Sequence, residues 1–253
     1  MNFRRIQHGV VDSTNERAFA AIEEGSALHG DVHLARGQTL GRGRQGKPWH
    51  SAPDEGLYLS VVLLPEPPPY KPAALTIAAG LALVEALNDL GLPPFGERMP
   101  KLKWPNDVLV GGAKLSGILT ETRGLDLSQP HYVLGIGMNV RQRHFPRELL
   151  AEREVTSLAA LDLDTTCNEA AEAVLTRLAP RLEQVRGQHR RLADDYLAAT
   201  GLAGMPVRVS VGKETHVGVL GSMSLNDGLE LRLTNDAIEH IPIEFVQAVQ
   251  LLD

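Results

Sequence analysis

Between Gln38 and Trp49 the chain reads Gln-Thr-Leu-Gly-Arg-Gly-Arg-Gln-Gly-Lys-Pro-Trp, and from Gly41 to Lys47 it holds three glycines, two arginines and a lysine with no acidic residue. The whole chain has a formal net charge of -6, so this local cationic excess needs a reason. Glycines leave backbone N–H groups accessible and arginine forks match carboxylate and phosphate oxygens, which suits the stretch to gathering an anion. Taken alone it is equally a solvated basic loop or a weak nucleic-acid contact, because short motifs recur by chance.

Three other polar clusters bear on the choice: Asp12-Ser13-Thr14-Asn15-Glu16; Lys103-Trp104-Pro105-Asn106-Asp107 with Lys114 just beyond; and Gly135-Ile136-Gly137-Met138-Asn139. Each has a plain structural explanation. Ser13 with Glu16 three residues later has the form of a capping box, which would still leave Thr14 and Asn15 free at the helix start. Pro105, Asn106 and Asp107 are turn residues, and Lys114 beyond a hairpin tip is by itself an exposed charge. Two glycines on one face of a strand signal close approach by a ligand or a neighbouring element.

The elements that must carry these clusters can be read from periodicity. A short strand precedes Asp12, and a helix with Ala18, Phe19 and Ile22 on its apolar face runs to Gly25. Gly30 to Arg36 reads as a strand delivering the chain to Gln38, and Leu57 to Leu64 as a central strand. The prolines from Pro65 to Pro72 form a loop, and Ala73 to Leu90 an apolar helix. Lys101 to Val110 and Lys114 to Glu121 flank Gly111-Gly112 as a hairpin. Tyr132 to Val140 is a further strand, Thr156 to Leu163 a short helix, and Thr166 to about Ala199 a long one that Pro180 kinks or divides. From Met205 the pattern changes to short strands with turns at Gly212, Asn226-Asp227-Gly228 and Asn235-Asp236. The fold class is α/β (α+β): a mixed central sheet packed with helices over residues 1–203, and a small C-terminal β-barrel over 204–253.

Composition narrows the function classes. A single cysteine, Cys167, excludes an internal disulfide and a cysteine-based zinc cluster and fits a reducing cytoplasm. The nine histidines show no metal-ligand spacing, and no apolar run approaches the roughly 20 residues of a membrane span. The acidic balance argues against general nucleic-acid affinity.

Five motifs in this order resemble the biotin protein ligases: Asp-Ser-Thr-Asn; Gln-Thr-x-Gly-Arg-Gly-Arg-x-Gly-x-x-Trp; Lys-Trp-Pro-Asn-Asp; Lys-Leu-x-Gly-Ile-Leu; and Gly-Ile-Gly-x-Asn-Val, followed by a closing β domain. The resemblance implies a class II synthetase-like catalytic domain that activates biotin with ATP as biotinyl-5'-adenylate, releases pyrophosphate, and transfers biotin to a lysine of a biotin carboxyl carrier protein. By matching motif, Ser13, Thr14, Asn15 and Gln38 would bind the ureido end of biotin, while Arg42, Gly43, Arg44 and Lys114 face its carboxylate and the adenylate phosphate. Arg44 and Lys114 are the implied catalytic pair. Arg44, Trp49, Asn106, Asp107 and Asn139 would serve the nucleotide, with Asp107 also holding Mg2+, and Trp49 ordering the loop against adenine.

Leu40, where this family usually has alanine, and Gln45 and Lys47-Pro48, in place of a more arginine-rich run, depart from its pattern. With the first motif starting at Asp12 there is no room before it for the DNA-binding helix-turn-helix of bifunctional relatives, so a ligase without repressor activity, with no DNA partner, is expected; no membrane partner is expected either, and a homodimer is left open. The rival readings are a lipoate ligase or octanoyl transferase of the same fold, and a non-catalytic nucleic-acid-binding module.

Overall fold

The computed structural model describes residues 1–65, 70–123, 130–187 and 189–252. The strands β1 (Arg4–Val11), β2 (Asp31–Gln38), β3 (Gly56–Leu63), β4 (Lys101–Lys103), β5 (Asp107–Val110), β6 (Ala113–Arg123) and β7 (His131–Asn139) form one sheet in the order β1-β2-β3-β7-β6-β5-β4. Only β1 and β2 run parallel; the other neighbours are antiparallel. The first strand pair is joined by α1 (Thr14–Glu23), as a parallel connection requires.

Strand alternation decides which face does what. On β3, buried throughout, Leu57, Leu59, Val61 and Leu63 join the main core, whereas Val62 belongs to a small cluster with Ala18, Phe19 and Val133 under α1. The main core lies beneath α2 (Pro72–Asp89), with α4 (Cys167–Gly187) and α5 (His189–Thr200) packed around it. One face of the sheet is thus a thick helical scaffold. The other is thinly covered, which leaves room for a site.

The hairpin tip at Gly111 and Gly112 has φ of 58° and 86°, the left-handed geometry that glycine accepts without strain. The segment expected as a single first arm is itself a hairpin, since Lys101 pairs with Leu109 and Lys103 with Asp107 around the Trp104–Asn106 turn. Pro180 lies within α4, which is not divided there; residue 188, between α4 and α5, is outside the described residues. Between β7 and α4 lie α3 (Arg147–Glu152) and a single 3-10 turn, Ala159–Leu161, where a short helix was expected. Of the proline-rich loop, residues 66–69 lie outside the described part.

The C-terminal strands β8 (Pro206–Val211), β9 (Glu214–Ser224), β10 (Gly228–Arg232), β11 (Ile238–Ile241) and β12 (Val246–Leu251) make a separate antiparallel sheet in the order β11-β10-β9-β8-β12. Its inward residues, among them Val207, Leu220 and Leu231, continue the main core. Trp104 joins the two units: its indole Nε1 donates to the Val246 carbonyl at 3.1 Å, and its ring meets Tyr196 edge-on. Among the described residues no helix is long and apolar enough to cross a membrane.

Candidate active site

On the thinly covered face, the start of α1, the loop after β2 and the middle of β6 and β7 enclose a cavity of about 220 Å³. Its first end is neutral and polar. The Thr14 backbone N–H donates to Gln38 Oε1 at 2.8 Å, which turns Gln38 Nε2 towards Ser51 Oγ, 2.9 Å away. Ser13 occupies the helix N-cap position without using its hydroxyl to cap, and Glu16 does not complete a capping box; the Ser13 N–H donates to Asp12 Oδ1 instead. The Ser13 and Thr14 side chains therefore line the cavity rather than serve only the helix.

The floor explains the strand glycines. A Cβ on Gly135 would sit 2.5 Å from Asn15 Oδ1, and one on Gly137 would sit 2.6 Å from the Trp49 indole. The indole also covers Gly117, on the neighbouring strand. Trp49 thus lies between the two ends of the cavity, against the sheet. Its Nε1 is buried with no hydrogen-bond partner among the described residues.

The second end is cationic. Lys114 Nζ lies 2.6 Å from Asp107 Oδ1 and 5.3 Å from the Trp49 ring centroid. Burial pushes the Lys114 ammonium below its ordinary range, with Asp107 pulling it back. Its backbone is clamped by the Glu154 carbonyl and the Thr156 N–H at 2.9 and 3.0 Å, and this clamp brings Arg153 to the rim. Asn106 Nδ2 donates to the Ile118 carbonyl at 2.7 Å, which locks the turn residue to β6, and its side-chain oxygen has no hydrogen bond among the described residues.

The loop is a closed hairpin rather than a loose tail. Gly43 N–H donates to the Lys47 carbonyl at 2.7 Å and Trp49 N–H to the Gly41 carbonyl at 2.9 Å, with Gln45 and Gly46 at positive φ at the tip. Its two arginines part company. The Arg44 side chain lines the cavity and makes no ion pair or hydrogen bond among the described residues, whereas Arg42 is ion-paired to Glu16 and lies 3.7 Å from Glu121. Arg123 binds the same Glu16 through two bonds of 2.5 and 2.8 Å. Hydrogen bonds from Arg123, then from Arg42, hold Glu16 at about 2.

Ser13, Thr14, Asn15, Gln38, Arg42, Gly43, Arg44, Trp49, Asn106, Asp107 and Lys114 are brought together around this one cavity. Asn139 is not. It is buried at the end of β7, where its Nδ2 donates to the Thr156 carbonyl at 2.9 Å, fastening the segment that clamps Lys114. Trp104 likewise is spent on packing. Arg153, and Gln247 on β12, line the cavity without any local signal in the sequence, because each arrives from a distant part of the chain.

A cavity with a neutral hydrogen-bonding end, an indole-covered middle and a cationic end accepts an elongated ligand with a polar head and an anionic tail, and can offset the repulsion between that tail and a phosphate. The family model described as biotin/lipoate A/B protein ligase matches residues 8–139. A biotin--[acetyl-CoA-carboxylase] ligase of Mycobacterium tuberculosis is 38% identical over 82% of this chain and 75% of its own length. The protein of the same name from Paracoccus denitrificans is 30% identical over 88% of this chain and 91% of its own. Among solved structures, the biotin protein ligase from Aquifex aeolicus in complex with biotin and ATP matches with a TM-score of 0.77 and 28% identity, covering 98% of this chain and 99% of that one. This chain belongs to the biotin/lipoate A/B protein ligase family. Within it, the chain is similar to the biotin ligases, and it is an enzyme of the ligase class.

Proposed function

We propose that this protein is an ATP-dependent biotin protein ligase. The observation that carries the reading is the polarity of one cavity: Ser13, Thr14 and Gln38 at its neutral end, Arg44 and Lys114 at its cationic end. A urea fits the first and a carboxylate the second. In the first step a biotin carboxylate oxygen attacks the α-phosphorus of ATP, the bond to the β-phosphate breaks, and pyrophosphate leaves. Arg44 and Lys114 hold the two anions together and neutralise the charge that develops between them. In the second step the amine of a carrier lysine attacks the acyl carbon, AMP leaves, and the amine loses a proton.

Arg42 enters this reading as the tether of the loop to α1, since its guanidinium is occupied by Glu16. Gly43 shapes the hairpin. Asn106 and Asp107 face the nucleotide phosphates, Asn139 supports that end from behind, and Trp49 covers the middle of the ligand. No group of three or more metal-ligating side chains occurs among the described residues. The Asp107 carboxylate and the Asn106 oxygen nevertheless suit magnesium, which takes one or two protein oxygens and completes its shell with phosphate and water. Bound there, it would neutralise phosphate charge.

The partner the reading requires is a biotin carboxyl carrier protein. DNA and membrane have no part in it, a homodimer is compatible with it, and a reducing cytoplasm suits the free Cys167. We divide the chain into a catalytic unit, residues 1–203, and a C-terminal β unit, residues 204–253. The relatives disfavour lipoate or octanoate as the acid and a nucleic-acid module as the class. Biotin-dependent exchange of labelled pyrophosphate into ATP tests the reading. Exchange with biotin but not with lipoate or octanoate is expected, and exchange driven by either of the other acids would overturn it.

A further inference from the structure

Behind the neutral end of the cavity runs a buried chain of polar contacts that begins at Glu121 on β6. Asn15 Nδ2 donates to Glu121 Oε2 at 2.6 Å; Ser60 Oγ lies 2.5 Å from Asn15 Oδ1 and 2.7 Å from Thr14 Oγ1; Thr14 Oγ1 lies 3.1 Å from Gln38 Oε1. Asn15 and Thr14 are almost wholly buried and Ser60 wholly so. The Glu121 contact with Arg42, at 3.7 Å, is too long for a hydrogen bond, so Asn15 is its close partner.

The direction of this chain follows from counting protons. A carboxylate oxygen only accepts, so it takes the amide nitrogen of Asn15 and turns Oδ1 to Ser60. An amide oxygen also only accepts, so the Ser60 hydroxyl must give its proton to Asn15. Ser60 can then only accept from Thr14. Gln38 Oε1, already fixed by the Thr14 backbone N–H, is left facing Thr14 Oγ1 without a proton between them, which agrees with this contact being the longest of the four. Thr14 therefore keeps both lone pairs free of protein donors for the cavity it lines. Were Asn15 free to turn over, the order would reverse: Asn15 to Ser60, Ser60 to Thr14, Thr14 to Gln38. The contacts from Asn15 to Gln38 would then each hold a proton, at the expense of setting Asn15 Oδ1 against Glu121, and Thr14, already accepting from Ser60, would keep only one lone pair for a ligand.

We propose that Glu121 is a positioning residue for ligand recognition: by fixing Asn15 and, through Ser60, the direction of this chain, it makes the Thr14 hydroxyl an acceptor that selects an N–H of the bound ligand. The proposal rests on the biotin reading, in which the donor is a ureido N–H.

Glu121→Gln separates this role from a structural one. Glutamine keeps the size and the hydrogen bond to Asn15 but can meet either end of that amide, so direction is lost while packing is kept. The experiment compares binding of biotin with binding of the two biotin derivatives methylated on one or the other ureido nitrogen, by calorimetry on the full chain. Wild type should prefer biotin to the derivative blocked at the Thr14 position. In Glu121→Gln the biotin Kd should rise about tenfold, the size expected for one buried hydrogen bond to a polar ligand, the blocked derivative should change little, and the KM for ATP should stay as in wild type. Ser60→Ala, which interrupts the relay without touching Glu121, should narrow the same preference. An unchanged preference in either variant, no preference in wild type, or a matching loss for biotin and ATP would each overturn the role of Glu121. Failure of wild type to bind biotin at all would overturn the biotin reading instead.

Discussion

Lys114 is the residue on which the charge argument turns. Buried beside Asp107, its ammonium is pushed below the ordinary lysine value of 10.5, chiefly by loss of water. A cation whose value is lowered on folding loses its charge at a lower pH than a free lysine does. Adenylate formation should therefore fall on an alkaline limb that begins below the ordinary lysine range, and Lys114→Arg, whose guanidinium does not deprotonate there, should move that limb upward; an unmoved limb in pyrophosphate-release assays against pH would detach Lys114 from the chemistry. Lys114→Ala should slow the same step by roughly 10²–10³-fold, the cost of removing one preorganised charge from a developing anion.

Elements, rather than single residues, decide whether the site has its shape. Gly137→Ala would put a methyl group 2.6 Å from the Trp49 ring, which must then leave the sheet. We expect a red-shifted tryptophan emission, a loss of stability of roughly 1–3 kcal/mol and weakened biotin binding; an unshifted emission spectrum would contradict the seating of Trp49. The Glu16 cluster ties α1, the loop and β6 together, and its effect has a definite sign. Glu16 is lowered from 4.5 to about 2, so its stabilisation is present above about pH 4.5 and is lost as pH falls towards 2. Allowing for partial exposure, this is on the order of 1–3 kcal/mol. Urea titrations across that window should show a smaller acid loss in Glu16→Gln than in wild type.

Elements were legible in the sequence wherever a local pattern dictates them: the continuous apolar run of β3, the Gly111-Gly112 turn, the apolar length of α2. The gathering of Ser13, Gln38, Arg44 and Lys114 was legible through motif order. What was not legible is long-range. Glu16 reads locally as a capping residue and is instead claimed by two arginines far along the chain, one of them in the basic loop, and Asn139 reads as a ligand residue but holds the segment beside Lys114. Arg153 and Gln247 reach the cavity only because the sheet and the C-terminal unit fold back on it.

At the scale of the molecule, one hydrophobic core runs from the central sheet into the C-terminal sheet, and Trp104 spans the junction. The two units should therefore unfold together. Calorimetry should show one transition for wild type, and Trp104→Phe, which keeps an aromatic ring but loses the bond to Val246, should lower stability by about 0.5–1.5 kcal/mol without splitting it; two resolved transitions would contradict a shared core. That continuity also gives the C-terminal unit a hold on the site, through the Trp104–Asn106 turn that carries Asp107. The basic loop, the sheet glycines and the C-terminal strands thus serve one cavity for one activated acid. The most direct test is transfer of labelled biotin from solution to the lysine of a purified carrier domain. The account predicts transfer that requires ATP, releases one pyrophosphate per label, and is abolished by Lys114→Ala. Label that reaches the carrier without ATP, or a carrier that takes lipoate or octanoate in place of biotin, would contradict it.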